Sequence, residues 1–354
     1  MYGISIFLGE EITNETRNYI QKMSEIGFKG IFTSLHIPED DATLYSQRLR
    51  ELGLLAQKSN MKLMVDISGE ALTRAGYSFE RLEEIVAIGV TGLRMDYAIS
   101  NKEIAEASHY LNIGLNASTI TTKDVEELRS FKADFTKFEA WHNYYPRPET
   151  GLSSEFFKDK NRWLQESGFQ VFAFVPGNKQ LRAPLYEGLP TLEKHRYENP
   201  FSAAIELKEN YQVAGVYLGD PGIAERTMNQ FDAYNHDQLM QLEVESSGSS
   251  YYSLILGTHV NRQDEARDVV RSAAARFKEI EEIKPEALIE RKIGSITIDN
   301  LKYGRYMGEI QIAKKKLPAN EKINVVAQVV SEDCSLLKLI RGGKAFTLIE
   351  KGSL

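Results

Sequence analysis

The feature that most restricts what this chain can fold into is a repeated alternation. Short, continuous apolar runs rich in β-branched and aromatic residues are separated by segments with helical spacing. The runs are GISIFLG (3–9), GIFTSL (30–35), KLMVDIS (62–68), TGLRMDY (91–97), NIGLNAST (112–119), FTKFEAW (135–141), QVFAFVPG (170–177) and VAGVYLGD (213–220). Such runs read as strands buried on both faces, the pattern of a parallel sheet. Start and stop signals frame the helices between them. Thr13 or Asn14 can cap ETRNYIQKMSEIG, which Gly27 closes; Ser78 precedes FERLEEIVAIG, which ends at Gly89; Thr122 precedes KDVEELRSF. Eight strand–helix units over roughly 235 residues is the arithmetic of a closed (β/α)8 barrel of the TIM type. An open, doubly wound sheet is the competing arrangement.

After Asn235 the rhythm changes. QLMQLEVESS and YYSLILGTHV read as strands, RQDEARDVVRSAAARFKEI as one helix, and the remainder as strand after strand with Gly and Asn turns. The expected class is therefore α/β, with a barrel over 1–238 followed by a smaller β-rich domain over 239–354.

Composition narrows the partners. A formal charge of -7 argues against nucleic acid. A single cysteine, Cys334, rules out a disulfide framework and a cysteine-based zinc site. No apolar run reaches the length of a membrane span, and the N-terminus has no basic segment of the kind that opens a signal peptide, so a cytoplasmic protein without a membrane partner is expected. Glycine-rich nucleotide loops, a serine-hydrolase elbow and histidines at metal spacing are all missing, so neither a cofactor nor a metal is expected.

Barrel active sites form at the C-terminal ends of the strands. The strand ends here carry Glu10, Asp66, Asp96, Asn116, Glu139 and Asp220, with His142 and Asn143 just after the sixth, while the second runs into HIPED with His36, Glu39 and Asp40. Alternation puts Arg94 and Asp96 on one face and Lys137 and Glu139 on another. Asp66, Asp96, Glu139 and Asp220 form the catalytic pool. Lys137 beside Glu139 would favour its ionised form, which leaves Asp96 or Asp220 as proton donor.

Two loops add binding candidates. The stretch FVPGNKQLRAPLYEGLPTLEKHR (174–196) is a loop of roughly twenty residues in a chain of otherwise short connectors, and long ordered loops are usually functional. Lys179, Arg182, Lys194 and Arg196 could hold a phosphate there, Arg182 and Lys179 foremost, with Tyr186 beside them. After the sixth run, WHNYYPRPETGLS offers Trp141, Tyr144, Tyr145 and Arg147 for contact with a sugar.

With SLHIPED, LRMDYAIS, NAST, NYYPRPETGLS, FVPG…LRAPLYEGLPTLEKHR and VYLGDP in this order, the whole chain resembles the MupG family of bacterial 6-phospho-N-acetylmuramidases. The resemblance implies a (β/α) barrel joined to a small cyclophilin-like domain. It also implies hydrolysis of the β-1,4 bond of 6-phospho-N-acetylmuramyl-N-acetylglucosamine, a phosphorylated amino-sugar disaccharide, during peptidoglycan recycling. Two other readings stay open: a phosphosugar lyase or aldolase with Lys137 as Schiff-base lysine, and a non-catalytic phosphosugar sensor. For the second domain, capping the barrel mouth and forming a homodimer are both open.

Overall fold

The computed structural model describes residues 1–35, 44–68, 71–275 and 281–353. The chain divides into two compact units, Met1–Glu225 and Arg226–Leu354. In the first, eight parallel strands close into a barrel in sequential order. They are β1 (Tyr2–Ser5), β2 (Gly30–Ser34), β3 (Lys62–Ile67), β4 (Gly92–Met95), β5 (Asn112–Asn116), β6 (Phe138–Trp141), β7 (Gln170–Val175) and β8 (Gly215–Leu218). The closed barrel, and not the open sheet, is the fold of this unit.

Helix ends follow the cap chemistry in the sequence. Thr13 accepts from the Thr16 amide ahead of helix Asn14–Glu25, and Gly27 beyond its end has a φ of 98. The helix Thr122–Ser130 is capped one residue earlier than expected: Thr121 and Asp124 make a reciprocal capping box.

A layer of large rings plugs the barrel. Trp141 stacks on Phe172 at 4.6 Å between centroids and meets Tyr217 at 4.7 Å and Phe32 at 5.6 Å. Met64 and Phe174 complete this cluster. Glycine on the neighbouring strands makes the space. A Cβ at Gly114 would lie 2.9 Å from the Trp141 ring, and one at Gly30 would overlap the Tyr217 hydroxyl.

The plug corrects two expected positions. Strand β6 starts at Phe138, so Glu139 is its second residue and lies on the N-terminal side of Trp141, below the rings and away from the mouth. Lys137 is not in the strand. It ends the 3-10 turn Phe135–Lys137, and its ammonium donates to the His109 carbonyl at 3.2 Å. The run FTKFEAW thus joins a turn to a strand, and period-two alternation does not hold across that junction.

The second unit is a mixed seven-stranded sheet. Its strands are β9 (Leu239–Ser246), β10 (Gly257–Val260), β11 (Val269–Arg271), β12 (Ser295–Asp299), β13 (Ile310–Ala313), β14 (Ile323–Val329) and β15 (Ala345–Glu350). Their order in the sheet is β10-β15-β9-β14-β12-β13-β11, antiparallel except where β15 runs parallel to β9. Two expectations fail here. The strand expected over 251–260 is a 3-10 turn, Tyr252–Ile255, followed by β10. The helix expected from 262 to 280 is replaced, in its described part, by β11, and 276–280 lie outside the described residues. The β-branched pair Val269 and Val270 pairs with Ala313 and Ile312 of β13, and this sheet pairing overrides the weak helical preference of the charged residues around it.

Candidate active site

At the C-terminal end of the barrel, inward positions of neighbouring strands converge on Arg94. Its Nη1 donates to Asp66 Oδ1 at 2.6 Å and its Nη2 to Asn143 Oδ1 at 2.6 Å. The Ser34 hydroxyl donates to the other Asp66 oxygen at 3.2 Å. Asp66 and Arg94 are both buried, so the pair is held in a low-dielectric setting with its hydrogen bonds largely satisfied. Burial works against the charged guanidinium, but Asp66 and Asp96 outweigh it and hold Arg94 protonated.

Asp96 follows β4 and turns toward the same centre. One of its oxygens is 4.0 Å from Arg94 Nη1, and the other accepts from Asn116 Nδ2 at 3.0 Å. Its side chain keeps 24% exposure, against 7% for Asp66. Of the two carboxylates on Arg94, Asp96 is therefore the one a ligand can touch.

Arg182 comes to the mouth from the loop after β7. Its Nη1 donates to the Tyr144 hydroxyl at 2.7 Å, and its guanidinium lies over the Phe7 ring at 4.2 Å. Its Nε and Nη2 have no protein partner among the described residues, so two donors of the planar fork remain for a ligand. Tyr144 is held in turn by an edge-on contact with Phe174 of the plug.

Asp220 sets the shape of that loop. Its Oδ2 accepts from the Gly177 and Leu189 amides at 2.8 and 2.9 Å, and its Oδ1 from the Arg182 amide at 3.0 Å. Both oxygens of this buried carboxylate are committed to backbone, so Asp220 is an organiser and leaves the catalytic pool. Arg196 is a second clamp. It pairs with Glu193 through two nitrogens at 2.7 and 2.6 Å and donates to the Tyr145 and Gly188 carbonyls at 2.9 and 3.0 Å. With Lys194 bonded to Glu206 at 2.7 Å, neither basic residue is left for a phosphate.

The other sequence candidates are scattered. Glu139, under the plug, accepts from Trp141 Nε1 at 2.8 Å and more weakly from Asn112 at 3.4 Å. Burial pushes its carboxyl up to about 7, so the structure reverses the expectation that Glu139 is the readily ionised member of the pool. His142 points out of the barrel, bonded to Asn161 Oδ1 at 2.7 Å and packed on Phe157; burial brings it down to about 4. Trp141 belongs to the core and is no sugar platform. Tyr145 is half-buried and bound through its backbone to Pro190 and Arg196, while Arg147 is exposed. Glu10 lies past the end of β1 at Ser5 and is exposed. Lys179 and Tyr186 are exposed and line a hollow that Arg182 does not line. His36, Glu39 and Asp40 lie outside the described residues.

Among the described residues, one group has the donor atoms to hold a cation. Ligand atoms of His195, Glu198 and Glu206 lie within 4.8 Å of one another. The site is already furnished by the protein: His195 Nε2 is 3.0 Å from one Glu206 oxygen, and the Lys194 ammonium sits on the other. Sequence spacing hid this cluster because Glu206 comes from the following helix, Pro200–Asn210.

A TIM-type barrel with an arginine–carboxylate network at its mouth, and a loop arginine with unspent donors, has the chemistry to receive a polar, anionic small ligand. Residues 2–233 match the N-terminal domain of 6-phospho-N-acetylmuramidase, and residues 239–349 match its C-terminal domain. The chain belongs to that family. It is 56% identical to a conserved protein of unknown function from Enterococcus faecalis, whose crystal structure superposes with a TM-score of 0.94 over 100% of this chain and 97% of that one. An uncharacterised B. cereus protein, 24% identical, shares the fold over 99% of both chains with a TM-score of 0.76. No curated protein matches the chain.

Proposed function

We propose that the protein is a glycosidase that hydrolyses the β-1,4 bond of 6-phospho-N-acetylmuramyl-N-acetylglucosamine, in the cytoplasm, as a step of peptidoglycan recycling. The observation that carries this reading is the mouth itself. Asp96, partly exposed and fixed by Asn116 and Arg94, lies at the same end of the barrel as the Arg182 guanidinium, which has two donors to spare, and Tyr144 lies close to both arginines. Family membership supplies the substrate.

In this reading the Arg182 fork takes two oxygens of the 6-phosphate. Asp96 lies against the anomeric carbon, where positive charge develops as the C1–O bond breaks. Water supplies hydroxyl to C1 and, over the whole reaction, the proton taken by the leaving oxygen. Asp66 holds Arg94 in place, and Arg94 with Asn116 fixes the Asp96 carboxylate. Among the groups described, the lyase reading has lost its lysine, since Lys137 is on the far side of the plug and bound to a carbonyl.

The test is turnover of the disaccharide with and without its 6-phosphate. Cleavage of the phosphorylated substrate alone supports the reading. Equal cleavage of both would remove the role given to Arg182, and cleavage of neither would remove the hydrolase.

A further inference from the structure

We propose that the hollow on the loop after β7 is the subsite for the sugar on the leaving side of the scissile bond, a neutral pyranose bearing hydroxyl and acetamido groups. This rests on the hydrolase reading above and deepens it.

The hollow has a volume of about 300 Å³ and is lined by residues 177–179, 181, 186–188 and 196–198. That is the lower end of the range for small-molecule pockets and suits one ring, not a chain of them. Two tyrosine rings stand at it, Tyr186 at 61% exposure and Tyr197 at 77%. Neither belongs to a core. Tyr186 also holds a left-handed backbone conformation, φ 56, which a residue with a Cβ adopts at a cost of about 1–2 kcal/mol. Strain of this kind collects where a side chain must be presented in one direction.

The polar groups identify the ligand class. The Lys179 ammonium has no side-chain partner among the described residues, and the Glu187 carboxylate accepts from the Tyr197 hydroxyl at 3.1 Å. Glu198 also lines the hollow, as does Arg196, which is spent on Glu193; Lys179 beside two carboxylates does not select a dianion such as phosphate, because Glu187 and Glu198 oppose it. Together the cation and the carboxylates offer a donor and an acceptor to alternating hydroxyls, with aromatic faces for the C–H side of the ring. Half-buried Leu181 lines the hollow, and the next residue, Arg182, faces the mouth. Since Asp220 pins Gly177, Arg182 and Leu189 together, the hollow and the phosphate anchor are parts of one rigid loop. Such a loop can gauge a disaccharide by its two ends.

The experiment compares kcat/KM for the phosphorylated disaccharide with that for an aryl glycoside of 6-phospho-N-acetylmuramic acid, which lacks the second sugar. In Tyr197→Ala the ratio of the two should fall about tenfold, and Tyr197→Phe should restore most of it. An unchanged ratio would overturn the proposal, as would a fall that Tyr197→Phe shares. A binding measurement does not depend on turnover: saturation transfer from the protein to N-acetylglucosamine should be seen with the wild type and lost in Tyr197→Ala. Equal transfer to both, or none to the wild type, would sink the subsite even if the enzyme cleaves its disaccharide. Failure of the wild type to cleave either substrate, with saturation transfer intact, would count against the hydrolase alone.

Discussion

The two ends of the barrel interior each bury a carboxylate, and they treat it differently. At the C-terminal end Asp66 meets the Arg94 guanidinium at 2.6 Å, and through Arg94 the charge is tied to Asn143 and Asp96. At the N-terminal end Glu139 is met by one indole N–H and a distant amide, with no cation in hydrogen-bond contact among the described residues. The first is a fixed charge that positions its neighbours. The second is raised to about 7 and keeps its proton through mildly acid conditions. Between them stands the aromatic plug. Two acidic residues on inward strand positions can therefore have unrelated roles, and the ring layer decides which of them a ligand meets.

The largest effect should come from breaking the mouth network at its base. Asp66→Ala strands the Arg94 charge in a buried site, and loss of one partner of a buried pair costs about 3–5 kcal/mol. Urea titration should show that loss, and a cost below about 1 kcal/mol would mean that water reaches the pair freely.

Next is Arg182→Ala, which removes the proposed charge-assisted contact with the 6-phosphate, a kind of contact worth about 1.5–3 kcal/mol. Its kcat/KM for the phosphorylated disaccharide should drop about 10- to 100-fold. Activity on the phosphate-free disaccharide, where measurable, should change far less. A parallel loss on both would show that Arg182 supports the fold of the mouth and not the phosphate.

The pH dependence of stability sharpens the other end. Native Glu139 holds its proton up to about pH 7, whereas the unfolded chain releases it near the ordinary value of 4.5. The native state therefore binds the extra proton within that window, and stability falls as pH rises through it. The expected loss is on the order of 2–3 kcal/mol. Asp299 in the second unit, also raised to about 7 by burial and by Glu309, adds a slope of the same sign. Comparing wild type with Glu139→Gln isolates the barrel's share: the variant should keep only the remainder of the slope. Identical slopes would show that Glu139 is ionised in the native protein.

The barrel was legible because its information is local. Branched and aromatic runs, caps and closing glycines recur in register with the units they build, and Thr13, Gly27, Ser78 and Gly89 stand at helix ends as their chemistry requires. The mouth was legible in part. Strand-end alternation brought out Arg94, Asp96 and Asn116, and the long loop brought out Arg182. Depth was not legible. The sixth run differs from the fourth only in starting with a turn, which lowers Glu139 by a layer, and no spacing rule reports that. Nor could spacing show that Asp220 is consumed by backbone amides, Arg196 by Glu193 and carbonyls, and Lys194 by Glu206. Ser34 was missing from the candidates for the opposite reason: a small hydroxyl inside an apolar run carries no signal until its partner is known, and Tyr144, named as a sugar contact, gave no sign that it would hold Arg182.

The central claim is that chemistry belongs to the mouth and not to the acid below the plug. The direct measurement is kcat on 6-phospho-N-acetylmuramyl-N-acetylglucosamine for Asp96→Asn and Glu139→Gln side by side at pH 7. Loss of the carboxylate facing the anomeric centre should lower kcat at least about 10³-fold in the first, while the second stays within about threefold of wild type. A Glu139→Gln enzyme as inactive as Asp96→Asn, with its fold intact, would contradict the account.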